Sequence, residues 1–270
     1  MLALNFSVTQ CYRHEDEATQ EADAEFAGVR DLVLRRDRWT CQACGCQADP
    51  GPNGEGGGLE VHHLDGHHDN NDQSNFATLC PLCHGILHIG FTARRKPGRF
   101  IWLPEASQAD LNLLVHAMAV ARLRLKAMAE GTSRPFPSEA EAVEVERLAG
   151  QLECLHRDLG SLGLADGVFV DPETGCDLRE LLERDPASLG SALADLLREP
   201  GEAINLEALH QGLAGLRWLY QPQADTAARF FQTAQAWLDG KDWMDMWRRQ
   251  ARHLLGKAGL LDARRRLWSG

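Results

Sequence analysis

The sequence predicts an α+β fold: a small ββα module preceded by a helix and followed by a mainly α-helical C-terminal region. Three observations predict it. Short apolar segments that fit strands are confined to residues 59–103. Long segments with apolar residues three and four apart fill most of the remaining chain. Two Cys-x-x-Cys pairs, Cys41/Cys44 and Cys80/Cys83, bracket the first two strand-like segments.

Each element has a local reason. Glu15 to Asp37 reads as a helix, acidic at its start (Glu15, Asp16, Glu17) and basic at its end (Arg35, Arg36), which suits the helix dipole. Phe26, Val29, Leu32, Val33 and Leu34 give it an apolar face. "CQACG", Cys41 to Gly45, reads as a knuckle turn, with Gly45 free to take a positive φ. Ala48 to Gly58, "ADPGPNGEGGG", is a loop. Leu59 to Leu64 and Asn75 to Leu79 are strands around the polar loop Asp65 to Ser74. Pro81 to Ile89 is a short helix with Pro81 in its first turn. Arg94 to Pro97 reads as a basic loop and Phe100 to Leu103 as a buried strand.

Gln108 to Ala129 is a helix with Leu111, Leu114, Val115, Met118, Val120 and Leu123 at helical spacing. Gly131 to Ser138, "GTSRPFPS", reads as a linker, dividing the chain into a module at 15–130 and a helical region at 138–270. In that region Glu139–Leu159, Leu178–Arg184, Ser188–Leu197, Leu206–Leu219, Asp225–Leu238 and Trp243–Gly256 all show helical spacing, punctuated by prolines. Trp218, Trp237, Trp243 and Trp247 are expected in the core rather than at an interface.

Composition narrows the function classes. The chain has 270 residues, 44% hydrophobic and 25% charged, an ordinary globular composition. No apolar run is long enough to span a membrane, so no direct membrane insertion is expected and the default location is cytoplasmic. The net charge of −11 lacks the bulk positive excess of a free DNA-binding domain, so any DNA contact rests on a local patch.

The four thiols of Cys41, Cys44, Cys80 and Cys83 match a tetrahedral shell around a structural zinc ion, with no position left open. In a module this small such an ion supplies folding free energy on the order of 10 kcal/mol. Cys11, Cys46, Cys154 and Cys176 fall outside the pattern and read as inert free thiols. The histidines call for a second explanation. His62 and His63 on a strand point to opposite faces. His84 and His88, four apart on a helix, share one face and can reach the same metal as His62. Asn75 lies between these groups, suited either to orienting the site or to capping a turn. Asp65, Asp69 and Asp72 are acceptors for imidazole N–H groups or solvated loop residues, and His67 and His68 read as loop.

"CQACG", "LEVHH" and "NFATLCPLCH" together resemble the HNH, or ββα-metal, nuclease family. The resemblance implies one catalytic divalent metal (Mg2+, Mn2+, Ni2+ or Zn2+) held by His62 and His84, with His88 as a further ligand. It implies His63 as general base on the attacking water, Asn75 holding the loop and base in orientation, and DNA as substrate.

A longer resemblance covers roughly Glu15 to Ala129, through "RRDRWTCQACG", the histidine segment and "IWLPEASQADLNLLVHAMAVARLRLKAM". These stretches are similar to the IcmJ/DotN family of type IVB (Dot/Icm) secretion systems. There the HNH-like zinc module is implied to bind a helical segment of the coupling ATPase and to aid substrate recruitment at the inner membrane, to which it is peripheral through its partner. The coupling reading is the one favoured here. The alternative is a metal-dependent HNH DNA endonuclease with His63 as base. The residues alone leave open whether the chain is an enzyme.

Overall fold

The computed structural model describes residues 17–48, 58–66, 70–95, 98–132, 138–164, 185–191, 213–221 and 243–268, with single positions at 50, 136, 175, 177 and 179. The class is α+β, with long helices and, among the described residues, two small antiparallel sheets.

Helix α1, Glu17–Arg36, ends in the two arginines expected of it. Backbone bonds from Asp37 to Val33 and from Trp39 to Leu34, both 2.9 Å, close its last turn. Arg38 and Trp39 take positive φ values of 53° and 47° there, an uncommon conformation for side-chain-bearing residues. The turn delivers Thr40 to a single bridge with Gln47, and the knuckle lies inside it. Gly45, at φ 76°, lets the chain double back so that Cys41 N–H reaches the Cys46 carbonyl at 2.8 Å.

Strands β1, Glu60–His63, and β2, Phe76–Leu79, pair antiparallel with His62 opposite Ala77 and His63 opposite Phe76. Helix α2, Pro81–Leu87, follows at once, with Cys80 as its N-cap and Pro81 in the first turn. His88 leaves helical geometry (φ −126°, ψ 52°), and α3, Ile89–Arg95, starts anew. Arg94 and Arg95 therefore end a helix, where a basic loop was expected.

Strand β3, Gly98–Trp102, is the expected buried strand, and its partner corrects the sequence reading. Leu216–Leu219, placed by its leucine spacing at the end of a helix, belongs to strand β4, Leu216–Tyr220. The two strands are antiparallel, with Phe100 opposite Trp218. Long-range pairing overrides the local helical spacing here.

Helix α4, Gln108–Ala129, is opened by a reciprocal capping box between Ser107 and Asp110. It is buried on nearly every side and forms the central post of the molecule. Against it pack α5, Glu139–Gly160, and α6, Trp243–Gly256. Trp247 of α6 donates its indole N–H to the Ala117 carbonyl at 2.8 Å. A last helix, α7, Ala258–Trp268, adds to the sequence expectation. One hydrophobic cluster runs from α1 and the knuckle through α4 to α5, α6 and α7. A second surrounds the β3–β4 sheet with Ile86, Ile89, Phe100, Val115 and Trp218.

Trp218 and Trp247 are core residues, as expected. The stretches 178–184 and 225–238, most of 188–197, and Trp237 lie outside the described residues or are described at isolated positions only. Among the described residues no helix is long and apolar enough to cross a membrane.

Candidate metal centre

Two short segments build the cysteine cluster. The knuckle contributes Cys41, Cys44 and Cys46, and the N-terminus of α2 contributes Cys80 and Cys83. All five are buried free thiols. The sulfurs of Cys41, Cys44, Cys46 and Cys80 all lie within 4.8 Å of one another. Cys44 Sγ and Cys80 Sγ are 3.8 Å apart. A tetrahedral ion with bonds of about 2.3 Å requires sulfurs about 3.8 Å apart, so this edge already has the right length. The backbone N–H of Cys83 donates to Cys80 Sγ at 3.4 Å, tying the α2 cap to the cluster. Cys46 was expected to stand apart and instead stands in this group of four, whereas Cys83, expected as a ligand, does not belong to it. Cys154 sits elsewhere, with Arg157 Nη2 3.3 Å from its sulfur, and Cys11 and Cys176 lie outside the described residues.

The proton balance of the cluster points the same way. Hydrogen bonds from Cys44, Cys46, Cys80 and Cys83 hold Cys41 far below the ordinary thiol range. Cys41 acts to raise Cys44, but Cys46, Cys80 and Cys83 bring it down to about 6. Burial pushes Cys80 and Cys83 well up, and the neighbouring Cys41 does the same to Cys46. The buried thiols thus hold their protons unequally. A soft dication that replaces those protons suits this donor set, and zinc is the natural fit.

A buried polar chain reaches the cluster from the opposite side. Asn112 of α4 donates its side-chain amide to Cys83 Sγ at 3.3 Å. Gln108, one turn earlier, donates to Asn112 Oδ1 at 3.0 Å and to the Trp218 carbonyl at 2.8 Å. The Trp218 N–H returns a bond to Gln108 Oε1 at 2.8 Å. Sequence reasoning missed Gln108 and Asn112. Their signal is two amides four apart in the first turns of a helix that is mostly apolar and buried.

The histidines form a second constellation. His62 on β1, His84 on α2 and His88 at its C-cap bring their ligand nitrogens within 4.8 Å of one another. His84 Nδ1–H donates to Glu60 Oε2 at 2.5 Å, which leaves Nε2 as its lone-pair nitrogen. That Nε2 is 3.2 Å from His88 Nε2. Two imidazoles on one tetrahedral ion stand about 3.3 Å apart, so the spacing is compatible with a shared divalent ion.

His63 diverges from this group. His62 faces α2, whereas the His63 ring stacks on Phe26 of α1 at 5.4 Å and meets Phe76 edge-on at 4.5 Å. It is only 6% exposed. Its Nε2 is 3.4 Å from Asn71 Oδ1. Asn75 fastens the loop that follows His63. It accepts from Asp65 N–H at 3.1 Å and donates to Asp65 Oδ1 and the Asn70 carbonyl, both at 2.9 Å. Asp65 also accepts from Asn70, and Asp72 caps the turn at Ser74. His67, His68 and Asp69 lie outside the described residues. Of the basic residues after α2, Arg94 bonds Ser191 and Arg99 bonds the Gly160 carbonyl, while Lys96 lies outside the described residues.

No family model matches the chain. It is 30% identical over 132 residues, 47% of its length, to the type 4 apparatus protein DotN of Legionella pneumophila, and the match spans 58% of that protein. It is 32% identical over 87 residues, 32% of its length, to the putative HNH nuclease YajD of Salmonella typhimurium and of Escherichia coli K12, and covers 73% of each. The module with its cysteine cluster is HNH-like.

Proposed function

We propose that this chain, which belongs to the HNH family that includes YajD, works as a zinc-stabilised protein-recognition component of a type IV secretion apparatus. Zinc held by Cys41, Cys44, Cys80 and Cys83 fastens the knuckle to α2 and so builds the scaffold. The partner is a helical segment of the coupling ATPase. Binding it places the chain in the cytoplasm, peripheral to the inner membrane, where it aids substrate recruitment. The similarity to DotN supports this reading, because it runs over 132 residues against 87 for YajD.

The observation that carries it is the setting of His63. A cutting site needs this imidazole open to a water beside the scissile phosphate. Here the ring is packed against Phe26 and Phe76, which also touch each other, and is 6% exposed.

A second reading, metal-dependent DNA cleavage, is favoured by the convergence of His62, His84 and His88. A divalent ion bound there would supply Lewis-acid chemistry at a phosphate. In that reading His63 is the general base, and Asn75 holds the loop that carries it.

Incubation with supercoiled plasmid and Mg2+, Mn2+ or Ni2+, beside a His63→Ala variant, separates the two. We expect no nicking, together with co-purification of a coupling-ATPase helical fragment. Metal-dependent nicking that disappears in the variant would reverse the order.

A further inference from the structure

We propose that Cys46 is an alternative fourth ligand of the cysteine centre, able to take the place of Cys83 on the ion. The inference rests on the zinc reading above and goes beyond it, since a Cys-x-x-Cys knuckle needs only Cys41 and Cys44.

The geometry groups the sulfurs of Cys41, Cys44, Cys80 and Cys46, and the second Cys-x-x-Cys pair offers Cys83 in the place of Cys46, so the two four-sulfur sets share three members. Cys41, Cys44 and Cys80 are common to both. Cys46 lies within 4.8 Å of all three, sulfur to sulfur. Cys83 is buried beside the same centre, with its backbone N–H 3.4 Å from the Cys80 sulfur. Cys46 and Cys83 thus flank the trio as rivals for one remaining position. A zinc ion takes four thiolates in a structural site, so one of the five thiols is always in excess.

Cys46 is held where it is by backbone. The positive φ of Gly45 turns the chain, and the bond from Cys41 N–H to the Cys46 carbonyl, 2.8 Å, anchors the residue. Its side chain is fully buried. Cys83 is selected as the resting ligand by Asn112, whose amide donates to its sulfur at 3.3 Å, a bond that strengthens when the sulfur is a thiolate. Cys46 waits beside it as the thiol.

Exchange is a balanced proton and ligand transfer. The bond from zinc to Cys83 sulfur breaks and the bond from zinc to Cys46 sulfur forms. The Cys46 proton passes to the departing Cys83 thiolate, and no electron moves. The consequence is mechanical. Cys83 lies in the first turn of α2, the helix that carries His84. With Cys46 on the ion, that turn is tied to the metal only through Cys80, while Asn112 and Tyr220 still bond Cys83 and Leu82. The fifth thiol therefore lets the helix that presents the histidines loosen its tie to the centre without loss of the ion that folds the module.

The test uses the full chain loaded with zinc, or with cobalt(II) as a spectroscopic stand-in. Zinc per chain and thiolate-to-cobalt charge-transfer intensity are measured for wild type, Cys83→Ser, Cys46→Ser, the double variant and Cys80→Ser. Each of Cys83→Ser and Cys46→Ser should keep a full zinc and the intensity of four thiolates. The double variant should fall to three and release zinc to a chelator faster, by about tenfold or more. Cys80→Ser, which belongs to both sets, should lose a thiolate at once. A Cys83→Ser protein that resembles the double variant overturns the inference, and so does one that fails to fold, since a substituting thiol keeps the module together. A wild-type chain that binds no zinc overturns the zinc reading itself, and with it this one.

Discussion

Asn112 donates its side-chain amide to Cys83 Sγ across 3.3 Å, joining the central helix α4 to the cysteine cluster. The same amide group is held by Gln108, which also pairs with both backbone groups of Trp218. The β3–β4 sheet, α4 and the cluster are thus linked by one buried polar chain. A buried network of this kind is stabilising only when every member is satisfied.

Replacing Asn112 with Leu keeps the volume and removes both bonds. Gln108 is left with one partner fewer, and Cys83 loses its donor. The expected cost is about 2 kcal/mol, the scale of a buried hydrogen bond to a charged group. Denaturant unfolding of the zinc-loaded chain checks it, and the variant should also surrender zinc to a chelator sooner.

Glu60 fixes the His84 ring through Nδ1. Glu60→Gln removes the carboxylate that sets the tautomer and keeps the shape. If the imidazoles hold a divalent ion, its affinity should fall about tenfold or more, while the tightly bound zinc stays unchanged. Calorimetric titration with Mn2+ or Ni2+ reads the difference.

Asp110 makes the capping box of α4 and pairs with Lys257 at the start of α7. Burial acts to raise its pKa, but Lys257 and Ser107 outweigh it, and the carboxyl stays below its ordinary value of 3.8. The folded state therefore holds this proton less tightly than the unfolded chain does. The stabilisation is complete above 3.8 and fades as pH falls through the lower folded value. Asp110→Asn should cost about 2 kcal/mol at neutral pH, and the gap from wild type should close in acid. Unfolding curves of the two proteins at matched pH values test it.

Gly98 faces the indole of Trp218, and an added Cβ would lie 2.5 Å from the ring. Trp218 is fully buried and has no room to retreat. Gly98→Ala should destabilise the chain by about 1–3 kcal/mol, the usual scale of overpacking. Near-ultraviolet circular dichroism of the tryptophans should change with it.

The parts legible in the sequence are those written locally. Helices α4 and α6 match their expected ends because apolar spacing runs unbroken over many turns. The knuckle was readable from spacing alone, and so were Cys41, Cys44 and Cys80 of the four sulfurs that the structure brings within 4.8 Å of one another. Strand β4 was not, because Leu213, Leu216 and Leu219 imitate a helix and the partner strand lies far away in the chain at β3. The run of Arg264, Arg265 and Arg266 blurs the apolar face of α7. Cys46 and Asn112 were invisible for a related reason. A single cysteine beyond a knuckle, or an amide in an apolar helix, has no spacing partner to announce it. Only the turn at Gly45 and the packing of α4 bring these groups to the cluster.

The central claim is that sulfur alone holds a structural zinc between the knuckle and α2. X-ray absorption at the zinc edge of the purified chain tests it most directly. Four sulfurs at about 2.3 Å and no nitrogen are the predicted shell. Zinc bound through imidazole nitrogen, or a folded chain without zinc, would contradict it.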